Sequence, residues 1–159
     1  MGRPIVKLAE HYIEWSTISD SPTTFGLTLD ELQAHVKEER GNDGLRDLHR
    51  RLERVEATGT SAYNDESADD TIWLNRAGPK ETILHLEEII EFYVRRKAEP
   101  TAKTLAAFRK GLPRCGPSCV QIERNGCAGW CRDCWGTDYV RPRATDSVGK
   151  ASDSQEKTR

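Results

Sequence analysis

The spacing of apolar residues predicts that the first part of the chain is mainly helical. In "PIVKLAEHYIEW" the apolar positions recur at helical spacing, which predicts a first amphipathic helix. The apolar face of this helix consists of Ile5, Leu8, Ala9, Tyr12 and Ile13. In "LTLDELQAHVKEERG", Thr28 and Glu31 have the spacing of a capping box, so a second helix begins at Thr28 and ends near Gly41.

A third helix follows closely in "NDGLRDLHRRLERVEATG". Asn42 or Asp43 is its N-cap, and Gly59 is placed to end it in a left-handed conformation. The buried stripe consists of Leu45, Leu48, Leu52 and Val55. Two short helices joined in this way form the skeleton of a helix-turn-helix motif.

The region after the third helix predicts a β-hairpin, a long helix and a short one. The β-prone stretches "TSAY" and "TIWLN" flank the polar "NDESADD", which predicts a hairpin with a long tip. "GPKETILHLEEIIEFYVRRK" opens with Gly78 and Pro79 and predicts a long fourth helix. Its apolar side consists of Ile83, Leu86, Ile90, Tyr93 and Val94. A short helix is predicted from Thr101 to about Lys110.

This order of elements is similar to that of winged-helix regulators of the MarR and PadR type. The resemblance rests on "LTLDELQAHV", "LRDLHRRLERVEATG" and "TIWLNRAGPKETILHLEEII", and it spans residues 5–97. It implies that the third helix enters the major groove of double-stranded DNA, that the hairpin is the wing, and that the first and fourth helices form a homodimer interface. The residues that would then contact phosphates or bases are Arg46, His49, Arg50 and Arg54.

Two features of the same region support other interpretations. The arginines alternate with Asp47, Glu53 and Glu56, and a mixed stripe of this kind is often only a solvated helix face. The predicted wing tip is acidic, and its carboxylates would repel the DNA backbone. These carboxylates belong to Asp65, Glu66, Asp69 and Asp70. The alternative function is a protein-interaction module, such as a phage or host adaptor, that docks a basic partner through the acidic loop 65–70.

Composition narrows the class of protein. The chain has 159 residues, 31% of them charged, and a net charge of −2, which suits one compact domain with an appendage. No stretch approaches the ~18 apolar residues that a membrane span needs, and we expect a cytoplasmic protein. The sequence contains no nucleophile elbow, no phosphate-binding glycine loop and no His-Glu-x-x-His motif, so we do not expect an enzyme.

The five cysteines all lie in "CGPSCVQIERNGCAGWCRDCW". A reducing cytoplasm and an odd number of thiols argue against disulfides and favour a metal. The pairs at the two ends of the cluster have the spacing of a structural zinc site. We predict as zinc ligands Cys115, Cys119, Cys131 and Cys134, with Cys127 as a spare or substitute ligand.

An iron–sulfur cluster is the alternative for these cysteines. Cys127-x3-Cys131-x2-Cys134 is also the spacing that radical-SAM enzymes use, but the chain lacks the alternating strands and helices of their barrel. A redox-sensing cluster attached to a winged helix is therefore the form that this alternative takes. Residues near the cysteines could add a secondary nucleic-acid contact. They are Trp130, Arg132, Trp135, Arg141 and Arg143.

The sequence thus predicts a mainly α fold with a small β-hairpin, of winged-helix type, and a small metal-stapled C-terminal unit. The predicted divisions are a winged-helix domain at 1–98, a connecting helix at 99–112, a metal-binding unit at 113–140 and a disordered tail at 141–159. The predicted function is a dimeric DNA-binding transcriptional regulator with a structural zinc site.

Overall fold

Short strands precede a series of helices along the part of the chain that the structure describes. This computed structural model describes residues 3–64 and 67–112. The strands are β1 (Ile5–Leu8), β2 (His11–Ser16) and β3 (Ser21–Pro22). The α-helices are α1 (Leu29–Thr58), α2 (Ala68–Ile72), α3 (Leu86–Ile89) and α4 (Ala102–Arg109). A 3₁₀ turn (Pro79–Glu81) precedes α3, and a π-helical segment (Ile90–Arg95) continues from it.

The first predicted helix is wrong, because this stretch forms the hairpin of β1 and β2. The strands are antiparallel, with Ile5 opposite Glu14 and Leu8 opposite His11. β3 pairs with β2, so the sheet has the order β1-β2-β3. Ala9 and Glu10 form the connection with φ angles of 47° and 62°, as a tight two-residue hairpin turn requires.

Both faces of the hairpin are covered, which explains why its sequence resembles a helix. Ile5 and Tyr12 pack into an apolar cluster with α1. The alternate positions, which include Val6 and Ile13, pack into a second cluster with α3, the π-helical segment and α4. Strands buried on both faces lose the regular alternation of apolar and polar residues, so periodicity alone cannot distinguish them from a buried helix.

The second and third predicted helices are confirmed as the two halves of α1, which meet at Gly41, but the N-cap predicted at Asn42 or Asp43 is wrong because both residues are helical. Thr28 and Glu31 form the predicted capping box, in which the Thr28 N–H donates to Glu31 Oε2 at 2.8 Å. Gly41 is the only non-helical residue within α1, with φ 63° and ψ −156°. Gly59 ends the helix in a left-handed conformation, as predicted.

The predicted hairpin after α1 is wrong. Thr60 makes an isolated bridge with Val6 of β1, so the "TSAY" stretch lies against the N-terminal hairpin. The end of the predicted loop lies instead in a helix, because Ser67 and Asp70 form a capping box at the beginning of α2. The second predicted strand lies partly in α2, which buries Ile72.

The long fourth helix is wrong in its first half. Asn75 is fully buried, and its side chain makes two hydrogen bonds with the backbone of Leu84. It accepts from the N–H of Leu84 at 2.9 Å and donates to the carbonyl oxygen of Leu84 at 2.8 Å. These bonds hold the chain before His85 in an extended conformation. Helix begins only at α3, and the apolar positions that the periodicity indicated still face the core, Ile83 only in part.

The short C-terminal helix is confirmed as α4, with Thr101 as its N-cap. Leu105 and Phe108 pack against the second cluster. Arg109 donates two hydrogen bonds, of 2.6 and 3.0 Å, to the buried carboxylate of Glu88, and these bonds connect α4 to α3.

The coarse fold class is therefore confirmed in part: about half of the described chain is helical, and it has a small antiparallel sheet. The element order on which the winged-helix resemblance rests differs from the observed order at the first helix, the hairpin and the fourth helix. The predicted metal-binding unit and tail lie outside the described residues.

Candidate nucleic-acid interface

Three of the four predicted DNA-contacting residues are exposed on the second half of α1. Arg46 forms an ion pair with Asp43 on its own helix, and both side chains are at least 80% exposed. His49 lies 3.5 Å from Glu53, again on the same helix. Arg50 is exposed and has no hydrogen-bond or ion-pair partner among residues 3–64 and 67–112.

The fourth residue, Arg54, is engaged within the protein. Its Nε donates to the carbonyl oxygen of Ser61 at 3.2 Å. Its guanidinium group also lies 4.5 Å from the centre of the Tyr63 ring, a cation–π contact. Arg54 therefore holds the chain that leaves α1, and a phosphate would have to compete with both contacts.

A neighbouring arginine that periodicity did not single out is buried. Arg51 is 5% exposed and donates to the carbonyl oxygen of Arg3. Burial lowers the pKa of Arg51, and the nearby Arg40 acts in the same direction. The signal for Arg51 in the sequence is its position between Leu48 and Val55, where the helical period places it on the buried side.

An ionic cluster around Glu14 connects β2 to the first half of α1. Glu14 is fully buried, and its Oε2 atom lies 3.4 Å from Nε2 of His35. Arg40 approaches the other carboxylate oxygen at 3.5 Å, and Arg3 lies 4.0 Å from Oε2. His35 is also 3.7 Å from Glu39. No sequence pattern indicates this cluster, because it depends on the hairpin of β1 and β2, whose residue spacing predicts a helix.

The chemistry of this cluster is that of an internal charge network. The ligand atoms of Glu14, His35 and Glu39 all lie within 4.8 Å of one another, and this donor set suits a divalent cation. Arg3 and Arg40 already bring positive charge to Glu14, so a metal ion would face repulsion from both. We therefore interpret the cluster as compensation for a buried carboxylate that fastens the sheet to α1.

Other predicted site residues lie wholly or partly outside the described residues. All five predicted or possible metal ligands, Cys115 to Cys134, fall in the range 113–159. Of the acidic loop, Asp65 and Glu66 are also outside. Asp69 and Asp70 are exposed in the first turn of α2, where Asp70 takes part in the capping box.

Neither the helices of the described chain nor its comparison with known proteins adds a functional assignment. No helix in the described part of the chain is long and apolar enough to cross a membrane. Comparison with protein-family models, with curated proteins and with solved structures finds no match to this chain.

Proposed function

We propose that the protein is a DNA-binding regulator that contacts the duplex backbone through Arg46 and Arg50. The observation that carries this proposal is the exposure of both side chains one turn apart on α1, with Arg50 lacking a partner in the described chain. Arginine binds a phosphate through a planar pair of N–H donors. The ion pair of Arg46 with Asp43 is exposed, and such pairs contribute at most about 1 kcal/mol, so a phosphate can replace the aspartate.

The contact set is smaller than the sequence predicted. Arg54 is held by Ser61 and Tyr63, and His49 pairs with Glu53. Asp47 and Glu53 are exposed on the same half of α1 and repel a phosphate backbone. The described residues therefore supply about two phosphate contacts, which corresponds to a slope near −2 for the logarithm of affinity against that of salt concentration.

Fluorescence anisotropy of a labelled DNA duplex over a series of salt concentrations tests this function. The double variant Arg46→Ala/Arg50→Ala should weaken binding and make the salt slope shallower by about two units, because two phosphate contacts are removed. The matched control is Arg95→Ala/Lys103→Ala, which removes two exposed cations from other elements. The control should bind with the affinity and slope of the unmodified protein.

Two results would count against the proposal. One is the absence of salt-dependent duplex binding by the unmodified protein. The other is a salt slope of the double variant that equals that of the unmodified protein. In either case the protein-docking alternative would be favoured.

A further inference from the structure

The two halves of α1 enclose a groove of about 540 Å³. Its first wall consists of Asp30, Gln33, Ala34 and Lys37, and its second wall of Leu45, Leu48, His49 and Leu52. Both walls follow the i, i+3, i+4, i+7 spacing of a single helix face. The second wall is apolar except for His49, and its Leu45 and Leu52 are only partly buried.

The four positions of the first wall are spaced symmetrically about the point between residues 33 and 34. In two antiparallel copies of this helix centred between positions 33 and 34, position 30 of each copy faces position 37 of the other. This arrangement places Asp30 opposite Lys37 twice, and it places Gln33 opposite Ala34 twice. The two charged residues are seven positions apart, which is ~10.5 Å or two helical turns.

We propose that a second copy of this chain occupies the groove, with the two α1 helices antiparallel and Asp30 of each copy paired with Lys37 of the other. Asp30 and Lys37 are both exposed, and neither has an ion-pair or hydrogen-bond partner in the described part of its own chain. A two-fold axis uses the same patch on both copies, so one surface must carry both members of each pair. This wall meets that condition.

Packing supports the same occupant. Ala34 is exposed at the centre of the wall, and its small side chain lets a second helix approach closely. The approaching helix would cover the exposed parts of Leu45 and Leu52 and remove apolar surface from water. His49 lines this groove, which assigns it to the contact between copies and leaves Arg46 and Arg50 for the duplex.

This interface replaces the one that the winged-helix resemblance implied. The residues of the first and fourth predicted helices pack within the chain: Ile13, Ile90 and Tyr93 are each at most 8% exposed. They are therefore unavailable for a second copy, whereas the groove is open.

Charge reversal with sedimentation or light-scattering measurements of mass tests the proposal. The unmodified protein should be a dimer, and the single variants Asp30→Lys and Lys37→Asp should each fall to half that mass, because each places like charges opposite one another twice. The double variant Asp30→Lys/Lys37→Asp should recover the dimer. An equimolar mixture of the two single variants should form a mixed dimer, since every facing pair is then of opposite charge.

Controls separate loss of the interface from loss of the fold. Glu38→Lys reverses a charge on the same half of α1 outside the groove and should remain a dimer. Ala34→Arg places a bulky cation at the proposed axis and should have half the dimer mass while circular dichroism shows that it is folded. This variant leaves Asp30 in place, so its result does not depend on any effect of Asp30→Lys on the first turn of the helix. A monomeric unmodified protein would overturn the proposal. Single variants that keep the full dimer mass, or a mixture that stays monomeric while each variant is folded, would also overturn it.

Discussion

At the scale of single residues, Glu56 connects the end of α1 to the N-terminal hairpin. Lys7 of β1 approaches both carboxylate oxygens at 3.0 Å, and the hydroxyl of Tyr12 of β2 donates to Oε1 at 3.0 Å. Both hydrogen bonds lower the pKa of Glu56, and the bond from Lys7 has the larger effect. Burial and the bond to Glu56 raise the pKa of Tyr12.

This geometry predicts a contribution of Glu56 to stability that depends on pH. Because the folded pKa lies below the ordinary value of 4.5, the contribution is complete above that value and is lost as the pH falls through the folded value. Glu56→Gln should therefore be less stable than the unmodified protein near neutral pH, and the difference should shrink between about pH 5 and pH 3. Urea unfolding over this range measures it.

The matched control is Glu38→Gln, an exposed carboxylate with no partner in the described chain. It should retain the acid dependence of the unmodified protein. Some acid dependence should remain in Glu56→Gln, because hydrogen bonds also lower the pKa of Glu31 and of Glu91. An equal stability loss at every pH would show that the charge of Glu56 is not what stabilises the hairpin.

Helical periodicity predicted the exposure of the charged side chains on α1 better than it predicted their hydrogen-bond and ion-pair partners. Arg46, His49 and Arg50 are exposed, as the period of the third predicted helix indicates. Arg54 is held by the chain after Gly59, and Glu14 is compensated by side chains from α1 and from the start of the chain. Such partners depend on the tertiary fold, and no local spacing reveals them.

At the scale of elements, the break at Gly41 sets the direction of the second half of α1. Its φ of 63° with ψ of −156° is accessible to glycine and costly for other residues. A Cβ atom at this position would meet nothing within 4 Å, so the cost of substitution comes from the backbone alone.

We therefore predict that Gly41→Ala lowers the free energy of unfolding by about 1–3 kcal/mol. Chemical unfolding followed by circular dichroism measures this value. Gly111→Ala is the matched control, because its backbone is not left-handed and its Cβ would approach only Phe108 O, at 3.7 Å. If the two variants have equal stability, the break does not constrain residue 41.

Three helix ends with local signals were predictable from sequence, whereas Gly78 and Pro79 open only a 3₁₀ turn, and elements fixed by distant contacts were not predictable. Thr28 with Glu31, Gly59 and Thr101 each act within a few residues, and each marks a helix end that the structure confirms. The strands β1 and β2 have no Asn-Gly or Asp-Gly turn to announce them. The extended chain before His85 depends on Asn75, nine residues before Leu84.

At the scale of the whole molecule, the zinc site of the cysteine-rich segment stays a prediction. Protein purified without oxygen should contain about one zinc per chain by elemental analysis. Cys131→Ser or Cys134→Ser should lower the zinc content while the far-ultraviolet circular dichroism of the helical part persists. Cys127→Ser is the control and should retain the metal.

A brown preparation that contains iron and acid-labile sulfide would replace zinc with the iron–sulfur alternative. Full zinc retention in both Cys131→Ser and Cys134→Ser would show that other ligands hold the ion. The mass measurements on charge-reversed variants do not depend on either result, since the groove lies within residues 30–52.

The hairpin of β1 and β2 belongs to both apolar clusters, and this has a consequence for the order of events during translation. The ribosome releases the hairpin before the helices that cover its two faces. A two-stranded hairpin alone is marginally stable in water. The cluster on one face is complete only after Val55 has been made, and the cluster on the other only after Leu105 has been made. The cluster with α1 can therefore form first, and the other face of the hairpin stays incompletely covered until α4 leaves the ribosome.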